Sequence, residues 1–277
     1  MSGILVNGLP GESVPATDRA IQYGDGLFET IAVRRGRPEL WSAHMARLRK
    51  GCERLGIGMP DPAVLLREAL QLARGQERAV LKIILSRGSG GRGYRPPDTP
   101  SPLRILSLHP WPEWPREFWL KGVATRICAT RLGRNGQLAG IKHLNRLEQV
   151  LARAEWREPA IAEGLMLDSE GMLVEGTMSN LFLVRDGVLQ TPDLSRCGVA
   201  GIMREVVLEA AGRRGIPYEI TSLRRKDLEL AQELFLTNSI IGLWPVRRVG
   251  RRDYAAPGSV TSLLQKDVED TRSRVST

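Results

Sequence analysis

The sequence contains few cysteine, histidine and aromatic residues, and this scarcity excludes several classes of site. Cys52, Cys128 and Cys197 are odd in number and show no C-x-x-C spacing, which argues against a disulfide framework or a zinc site. The three histidines lie too far apart in the chain to form a metal-binding motif. We therefore expect a reduced, cytoplasmic protein without a bound metal.

Long apolar runs are also missing. No segment approaches the roughly 18 consecutive apolar residues that a membrane span needs, and Lys82 interrupts the apolar run Ala79–Leu85. The first residues lack a basic segment followed by an apolar one, so no signal peptide is expected. These features predict a protein with no membrane partner.

Basic residues outnumber acidic ones, 40 to 31, which gives a net charge of +9. A basic balance of this kind is typical either of a nucleic-acid-binding protein or of an arginine-rich surface. The basic residues never form a run of five or six, and aromatic residues make up only 5% of the chain. The pattern therefore disfavours nucleic-acid binding, which remains a remote alternative.

Chain length and the alternation of helix and strand patterns set the expected architecture. A chain of 277 residues with 42% apolar content suits one large or two ordinary globular domains. Strands and helices mix without strict βαβ alternation, which predicts two α+β domains. We place a smaller N-terminal domain at 1–110, a linker rich in proline and tryptophan at 111–121, and a larger domain at 122–277.

Local signals locate several elements. Asn7-Gly8 after an apolar triplet predicts a hairpin. A short strand is expected at Pro38–Trp41, followed by a helix that Ser42 caps and that ends near Leu55. A second long helix is expected at Leu144–Arg157.

Residues 88–93 satisfy the pattern G-x-G-x-x-G, which in dinucleotide-binding proteins opens a helix. Three prolines follow between residues 96 and 100, so no helix can begin there and the dinucleotide interpretation is rejected. A flexible loop is one alternative, and an arginine-bearing loop over a small anion is the other.

Lysine is rare, since 34 of the 40 basic residues are arginine and only six are lysine. Lys142 is the lysine on which the chemical argument rests, because it stands in a loop just before a predicted helix. Lysine can lose its proton and form covalent adducts with carbonyl groups, whereas arginine cannot. On this segment alone, a solvated lysine at a helix start is the competing interpretation. Gly201 at the start of another predicted helix suits an anion or a simple helix cap.

Several segments are best considered together, in the order in which they occur: Tyr23–Thr30, His44–Leu48, Lys142, Glu175 with Ser179–Phe182, and Gly198–Glu205. This combination resembles a known family, the fold-type IV pyridoxal-phosphate enzymes. The family includes branched-chain aminotransferases, D-amino acid aminotransferases and aminodeoxychorismate lyases. Two longer strings, Ser86–Tyr94 and Arg131–Val150, look like the lyase branch. The resemblance spans about residues 4–246 and implies the D-amino acid aminotransferase-like architecture.

The resemblance implies a role for each matching residue. Lys142 would carry pyridoxal 5'-phosphate and move the proton, and Thr30 would assist the elimination. Glu175 would bond the pyridine nitrogen of the cofactor. The cofactor phosphate would be bound by the following residues: Arg47, Gly201, Ile202, Met203 and Ser239. The substrate would meet three further residues: Arg87, Arg92 and Tyr23.

The implied activity is a lyase reaction that converts 4-amino-4-deoxychorismate to 4-aminobenzoate and pyruvate in folate biosynthesis. The substrate is a small amine with two carboxylates, which calls for cationic partners. An aminotransferase of the same fold, which would use the same Lys142 and Glu175, is the alternative. The resemblance also implies a homodimer.

Overall fold

The computed structural model describes residues 3–275 of the chain, with side chains for residues 3–273. These residues divide into two compact units. One comprises the chain up to Pro112 together with Ile141–Asn145, and the other comprises Glu113–Gly140 and Arg146–Ser273. Each unit combines helices with one large sheet, so the predicted α+β class is confirmed.

The first unit contains one antiparallel sheet and three helices. Its strands are β1 Ile4–Val6, β2 Leu9–Pro10, β3 Gly26–Arg34, β4 Arg37–Pro38, β5 Arg78–Ser86 and β6 Leu103–Pro110. Its helices are α1 Arg19–Tyr23, α2 Trp41–Leu55 and α3 Pro62–Ala73. The strand order is β2-β1-β6-β5-β3-β4. Alternate residues of β3 and β5 are buried, among them Leu27, Ile31, Leu81, Ile83 and Leu85.

Local chemistry explains two of these elements. The predicted hairpin is confirmed, because Asn7 and Gly8 both adopt positive φ and join β1 to β2. Helix α3 begins with Pro62 in its first turn, and the Asp61 side chain accepts a hydrogen bond from the Ala63 N–H.

The start of α2 differs from the prediction. The expected strand Pro38–Trp41 is reduced to the pair Arg37–Pro38, and the helix already begins at Trp41. The capping position is Leu40, in the left-handed conformation with φ of 50°, and not Ser42. A leucine in the left-handed conformation is rare, so sequence patterns do not predict this cap.

The second unit contains a ten-stranded mixed sheet. Its strands are β7 Val123–Leu132, β8 Ile161–Asp168, β9 Met172–Gly176, β10 Asn180–Arg185, β11 Val188–Pro192, β12 Tyr218–Thr221, β13 Leu223–Arg224, β14 Glu233–Asn238, β15 Gly242–Val249 and β16 Arg252–Asp253. Its helices are α4 Glu117–Leu120, α5 Leu147–Arg153, α6 Ile202–Arg213, α7 Arg225–Leu230 and α8 Ser259–Val275. The order is β12-β11-β10-β14-β15-β7-β8-β9-β13, and β16 pairs with β15.

The segment predicted as a linker, 111–121, contains ordered structure. It contains α4, and the rings of Trp114, Phe118 and Trp119 each contact the buried Trp244 at centroid distances of 5.0–5.7 Å. Proline interrupts regular structure here, but the aromatic side chains bury apolar surface and tie the segment to the second unit.

The predicted helix Leu144–Arg157 is shortened to Leu147–Arg153. The Leu144 N–H donates to the Gly26 carbonyl oxygen, and the Phe28 N–H donates to the Lys142 carbonyl oxygen, both at 3.0 Å. Because residues 142–144 are bonded to the start of β3 in this way, the helix begins only after them.

Among the helices of residues 3–275, none combines the length and apolar character that a membrane crossing requires. The three cysteines are buried and free, and burial raises the pKa of the Cys128 and Cys197 thiols to about 12. The same described residues contain no group of three or more His, Cys, Asp or Glu side chains arranged to hold a metal ion.

Candidate active site

Lys142 lies in the first unit, in the short segment Ile141–Asn145, which is hydrogen-bonded to the start of β3. Its Nζ atom is 4.3 Å from the centroid of the Phe28 ring. Phe28 and Thr30 are two residues apart on β3, so their side chains project from the same face of the sheet. Thr30 is half-buried and lies opposite Lys82 in the β3–β5 register. Lys142 therefore contacts the Phe28 ring, and Thr30 lies two residues further along β3 on the strand face that carries this ring.

Lys82 is a cation that the sequence argument did not assign. Its Nζ atom lies 5.6 Å from the centroid of the same Phe28 ring. It is half-buried, and within residues 3–273 no ion pair joins it to a carboxylate. The sequence signal was available, since Lys82 interrupts an otherwise apolar buried strand.

Arg47 is fixed by a buried carboxylate. Its Nε and Nη2 atoms donate to the two oxygens of Glu29, at 2.8 and 2.5 Å. His44 Nδ1 lies 2.7 Å from Glu29 Oε2, and both Glu29 and His44 are 1% exposed. Glu29 thus sets the orientation of the guanidinium predicted to bind a phosphate. Sequence reasoning quoted Glu29 and His44 within its motifs but gave neither a role.

The electrostatics of this group follow from its burial. Burial alone would raise the pKa of Glu29, but the Arg47 charge and hydrogen bonds from Arg47 and His44 outweigh it and lower the pKa to about 2. Burial lowers the pKa of His44, although Glu29 opposes that shift. Glu29 is therefore ionised and His44 neutral near pH 7.

Arg87, predicted to meet the substrate, is hydrogen-bonded within the first unit. Its Nε and Nη2 donate to the two oxygens of Asp25 at 2.7 and 3.0 Å, and its Nη1 and Nη2 donate to the carbonyl oxygens of Gly56 and Leu55. Four of its five N–H donors are committed inside the unit, and the residue is 7% exposed. These bonds hold Arg87 in place within the first unit, and its predicted contact with the substrate stays a prediction.

Arg92 lies in the loop at 88–102 and is exposed. Residues 94–102, which follow the glycine-rich stretch, contain no helix, as the three prolines predict. Arg19, 3% exposed, fixes this loop by donating to the carbonyl oxygens of Gly93 and Tyr94 at 3.2 and 3.0 Å. Tyr23 contacts the Tyr94 ring edge-on at a centroid distance of 5.4 Å.

In the second unit, Glu175 lies on β9 and is 5% exposed. Its Oε2 atom accepts a hydrogen bond from the Val199 N–H at 2.8 Å. The segment around Val199 also pairs with Gly140: the Gly140 N–H donates to Gly198 O, and the Ala200 N–H donates to Gly140 O. Gly140 precedes Lys142 by two residues in the chain. One backbone segment therefore holds both Glu175 and the residue that leads into the lysine segment.

The turn that links Glu175 to Asn180 is fixed by another buried acid. Glu163, 1% exposed, accepts hydrogen bonds from the Thr177 and Ser179 hydroxyls and from the Thr177 and Met178 N–H groups. Burial raises the pKa of Glu163 although these donors oppose the shift. No motif in the sequence indicated this role of Glu163.

The N-terminus of α6 forms a candidate anion site within the second unit. Gly201 is its capping residue, and a Cβ atom there would lie 2.0 Å from Asn180 Oδ1. Only glycine allows this approach, which leaves Asn180 Nδ2 donating to the Val199 carbonyl oxygen at 2.8 Å. The first-turn N–H groups, including those of Ile202 and Met203, have no acceptor within a helix and suit an anion.

Ser239 follows β14 in the same unit, in the turn to β15, and is half-buried. The structure thus divides the predicted site residues between the two units. Tyr23, Thr30, Arg47, Arg92 and Lys142 belong to the first. Glu175, Gly201, Ile202, Met203 and Ser239 belong to the second.

The ion pair of Glu29 predicts a pH-dependent stability. Because the pKa of Glu29 is about 2 in the folded protein and 4.5 as its ordinary value, its contribution is complete above pH 4.5 and is lost as the pH falls towards 2. The amount is on the order of 3 kcal/mol. Glu29→Gln should destabilise the protein at pH 7, and the difference from wild type should shrink at pH 3 in urea unfolding.

Glu53→Gln, an exposed change on the same unit, serves as the control and should have little effect at either pH. A difference between wild type and Glu29→Gln that stays constant from pH 7 to pH 3 would show that the charge of Glu29 is not the source of the stability.

Comparison with known proteins identifies the family of this chain. The family model for class IV amino-transferases matches residues 26–249. An aminodeoxychorismate lyase from Vibrio harveyi is 41% identical over 241 residues, which are 87% of this chain and 89% of that protein. A putative branched-chain-amino-acid aminotransferase from Methanocaldococcus jannaschii is 29% identical over 94% of this chain and 92% of its own length.

Solved structures show the same architecture. The crystal structure of 4-amino-4-deoxychorismate lyase from Pseudomonas aeruginosa has a TM-score of 0.92 at 49% identity, and the match covers 96% of this chain and 98% of that one. A branched-chain aminotransferase from Escherichia coli has a TM-score of 0.86 at 26% identity, with 96% and 92% covered. These matches confirm the expected fold-type IV architecture and lend no support to the nucleic-acid alternative. The chain belongs to the class IV aminotransferase family.

Proposed function

We propose that this protein is a pyridoxal-phosphate-dependent lyase that converts 4-amino-4-deoxychorismate to 4-aminobenzoate and pyruvate for folate biosynthesis. The observation that carries the proposal is the backbone segment Gly198–Ala200, which bonds Glu175 and pairs with Gly140, two residues before Lys142. A lysine and a carboxylate are the two groups that this cofactor requires. The lyase assignment is supported by two relatives of that name, 41% and 49% identical over most of their length.

The residues present fit the cofactor. Glu175 is a buried carboxylate whose Oε2 is already oriented by the Val199 N–H, which suits a bond to a protonated ring nitrogen. Gly201 leaves the N-terminus of α6 open for a phosphate, because a side chain there would collide with Asn180. We assign the phosphate to this helix start, to Arg47 and to Ser239, and the covalent attachment to Lys142.

When bound, pyridoxal 5'-phosphate supplies an electron sink that stabilises the carbanion left by proton removal. The Lys142 amine removes the proton from the amine-bearing ring carbon of the substrate. Glu175 keeps a proton on the ring nitrogen of the cofactor. The bond between the substrate ring and the enolpyruvyl oxygen then breaks, and Thr30 assists the proton transfer to that oxygen. The departing fragment becomes pyruvate, and the remaining ring becomes aromatic.

The two substrate carboxylates need cationic partners. The surroundings of the basic residues favour Lys82 and Arg92 for this role. Arg87 is committed to Asp25 and to two backbone carbonyls. Lys82 lies beside the ring that Lys142 contacts, opposite Thr30 on the neighbouring strand. We propose Lys82 for one carboxylate and keep the exposed Arg92 for the other, with Tyr23 beside its loop.

An aminotransferase remains the second candidate, because the family model and the M. jannaschii relative carry that name. Both reactions would begin with proton removal by Lys142. They differ in their products, since only the lyase releases pyruvate without an added 2-keto acid.

The first test is incubation of the purified protein with 4-amino-4-deoxychorismate and no keto acid. Stoichiometric pyruvate and 4-aminobenzoate are expected from wild type, and none from Lys142→Ala, which should also lose the yellow chromophore. Amino-group exchange with a 2-keto acid, in the absence of pyruvate release, would instead support the aminotransferase.

The second test concerns Lys82. Lys82→Met should raise KM for the substrate about tenfold or more, because a charge-assisted bond to a carboxylate is lost, while kcat changes little. Lys50→Met, at an exposed position of the same unit, is the matched control. Unchanged KM in Lys82→Met would remove Lys82 from the proposed substrate site.

We also propose a homodimer. Helix α5 exposes an apolar face, with Leu147 69%, Val150 61% and Leu151 55% accessible. Residues spaced by three and four share one helix face, and such a patch favours contact with another protein surface.

The dimer is tested by light scattering coupled to gel filtration. Wild type should run as a dimer, and the double change Leu147→Glu with Leu151→Glu should shift it towards monomer, because two charges would be buried in the interface. Leu230→Glu, at a half-exposed leucine of α7, is the control. A double variant that keeps the wild-type mass would exclude this face as the interface.

A further inference from the structure

The turn that carries Ser239 is fixed on several sides. Asn238 Oδ1 accepts hydrogen bonds from the Ile240 and Ile241 N–H groups, both at 2.9 Å. The Thr237 hydroxyl donates to the Gly242 carbonyl oxygen, and Asn238 Nδ2 donates to the Met178 carbonyl oxygen. These hydrogen bonds stabilise the turn, three of them within it and one to a neighbouring loop. None of these four bonds involves a backbone atom of Ser239.

Arg272 of the C-terminal helix α8 reaches that backbone. Its Nη2 atom donates to the carbonyl oxygen of Ser239 at 3.3 Å and lies 3.5 Å from that of Ile240. Arg272 is 2% exposed. Gly242 has a φ of +67°, and a Cβ atom there would lie 2.8 Å from Arg272 Nη1. The glycine that ends the turn therefore also leaves room for the guanidinium.

The ion pair between Arg272 and Glu269 is weak, whereas the guanidinium donates directly to the turn. The Glu269 carboxylate is 4.0 Å from Nη1 and its side chain is 53% exposed, so water screens that ion pair. Buried guanidinium groups are costly unless their N–H donors are satisfied, and here carbonyl oxygens of the turn provide acceptors. Its positive charge also favours an anion on the turn.

Attachment of α8 does not explain Arg272 by itself. The helix is anchored by other bonds: Arg214 pairs with Asp267, Gln265 Nε2 donates to Trp119 O and Leu243 O, and the Thr261 hydroxyl donates to Glu233. Arg272 differs from these anchors because it is a charged donor directed at the carbonyl groups of one turn.

We propose that Arg272 is a positioning residue for the cofactor phosphate: by holding the carbonyl groups of Ser239 and Ile240, it fixes the turn that presents the Ser239 hydroxyl. The inference rests on the proposed function, because it takes Ser239 as a phosphate ligand. It assigns to the C-terminal helix, which sequence motifs left without a role, control of how tightly the phosphate is held.

The test compares pyridoxal 5'-phosphate with pyridoxal, which lacks the phosphate, by titrating the cofactor-free full-length protein. In Arg272→Met and Arg272→Lys, the dissociation constant for pyridoxal 5'-phosphate should rise about tenfold, while that for pyridoxal stays near the wild-type value. Arg214→Met, which removes a different anchor of α8, is the matched control. It should lower the thermal midpoint without changing the ratio of the two constants.

A double variant tests whether Arg272 influences phosphate binding through Ser239. If Arg272 acts through Ser239, combining Arg272→Lys with Ser239→Ala should weaken phosphate binding no further than Ser239→Ala alone. Equal losses for pyridoxal and its phosphate, or strictly additive losses in the double variant, would overturn the inference. If wild type binds neither compound, the proposed function itself fails.

Discussion

The hydrogen bond between the Val199 N–H and Glu175 is the interaction on which the proposed chemistry depends. A carboxylate that must face a cofactor ring nitrogen cannot rotate freely, and here one oxygen is fixed by a backbone donor. The same stretch pairs through Gly198 and Ala200 with Gly140. Glu175 and Gly140 are therefore held by the same backbone segment of the second unit.

Buried ion pairs repeat this principle in the first unit. Glu29 orients Arg47, and Asp25 is bracketed by Arg19 and Arg87. Arg47 and Arg87 each meet their carboxylate through two N–H donors, which fixes direction as well as distance, and Arg19 meets Asp25 through Nε alone. The abundance of arginine in this chain is thus partly structural, since at least three of these guanidinium groups hold loops or other side chains in place.

Elements that depend on neighbouring residues could be predicted from the sequence, whereas elements that depend on distant contacts could not. The Asn7-Gly8 hairpin is decided by neighbouring residues, so local chemistry predicted it. The length of α5 is decided by Gly26, far earlier in the chain, whose carbonyl oxygen engages Leu144. In the same way, motifs singled out Lys142 and Glu175, whereas the pairing of Arg87 with Asp25 becomes visible only in three dimensions. The roles of Lys142 and Glu175 stay predictions.

The segment Ile141–Asn145 belongs by its contacts to the first unit, although the residues on both sides of it belong to the second. The polypeptide thus enters the first unit a second time, for five residues, and these include the lysine. Neither unit is encoded by one uninterrupted stretch of sequence. A chimaera that joined residues 1–112 of this chain to the remainder of a relative would pair β3 with a foreign lysine segment, so exchange of whole units demands three coordinated junctions rather than one.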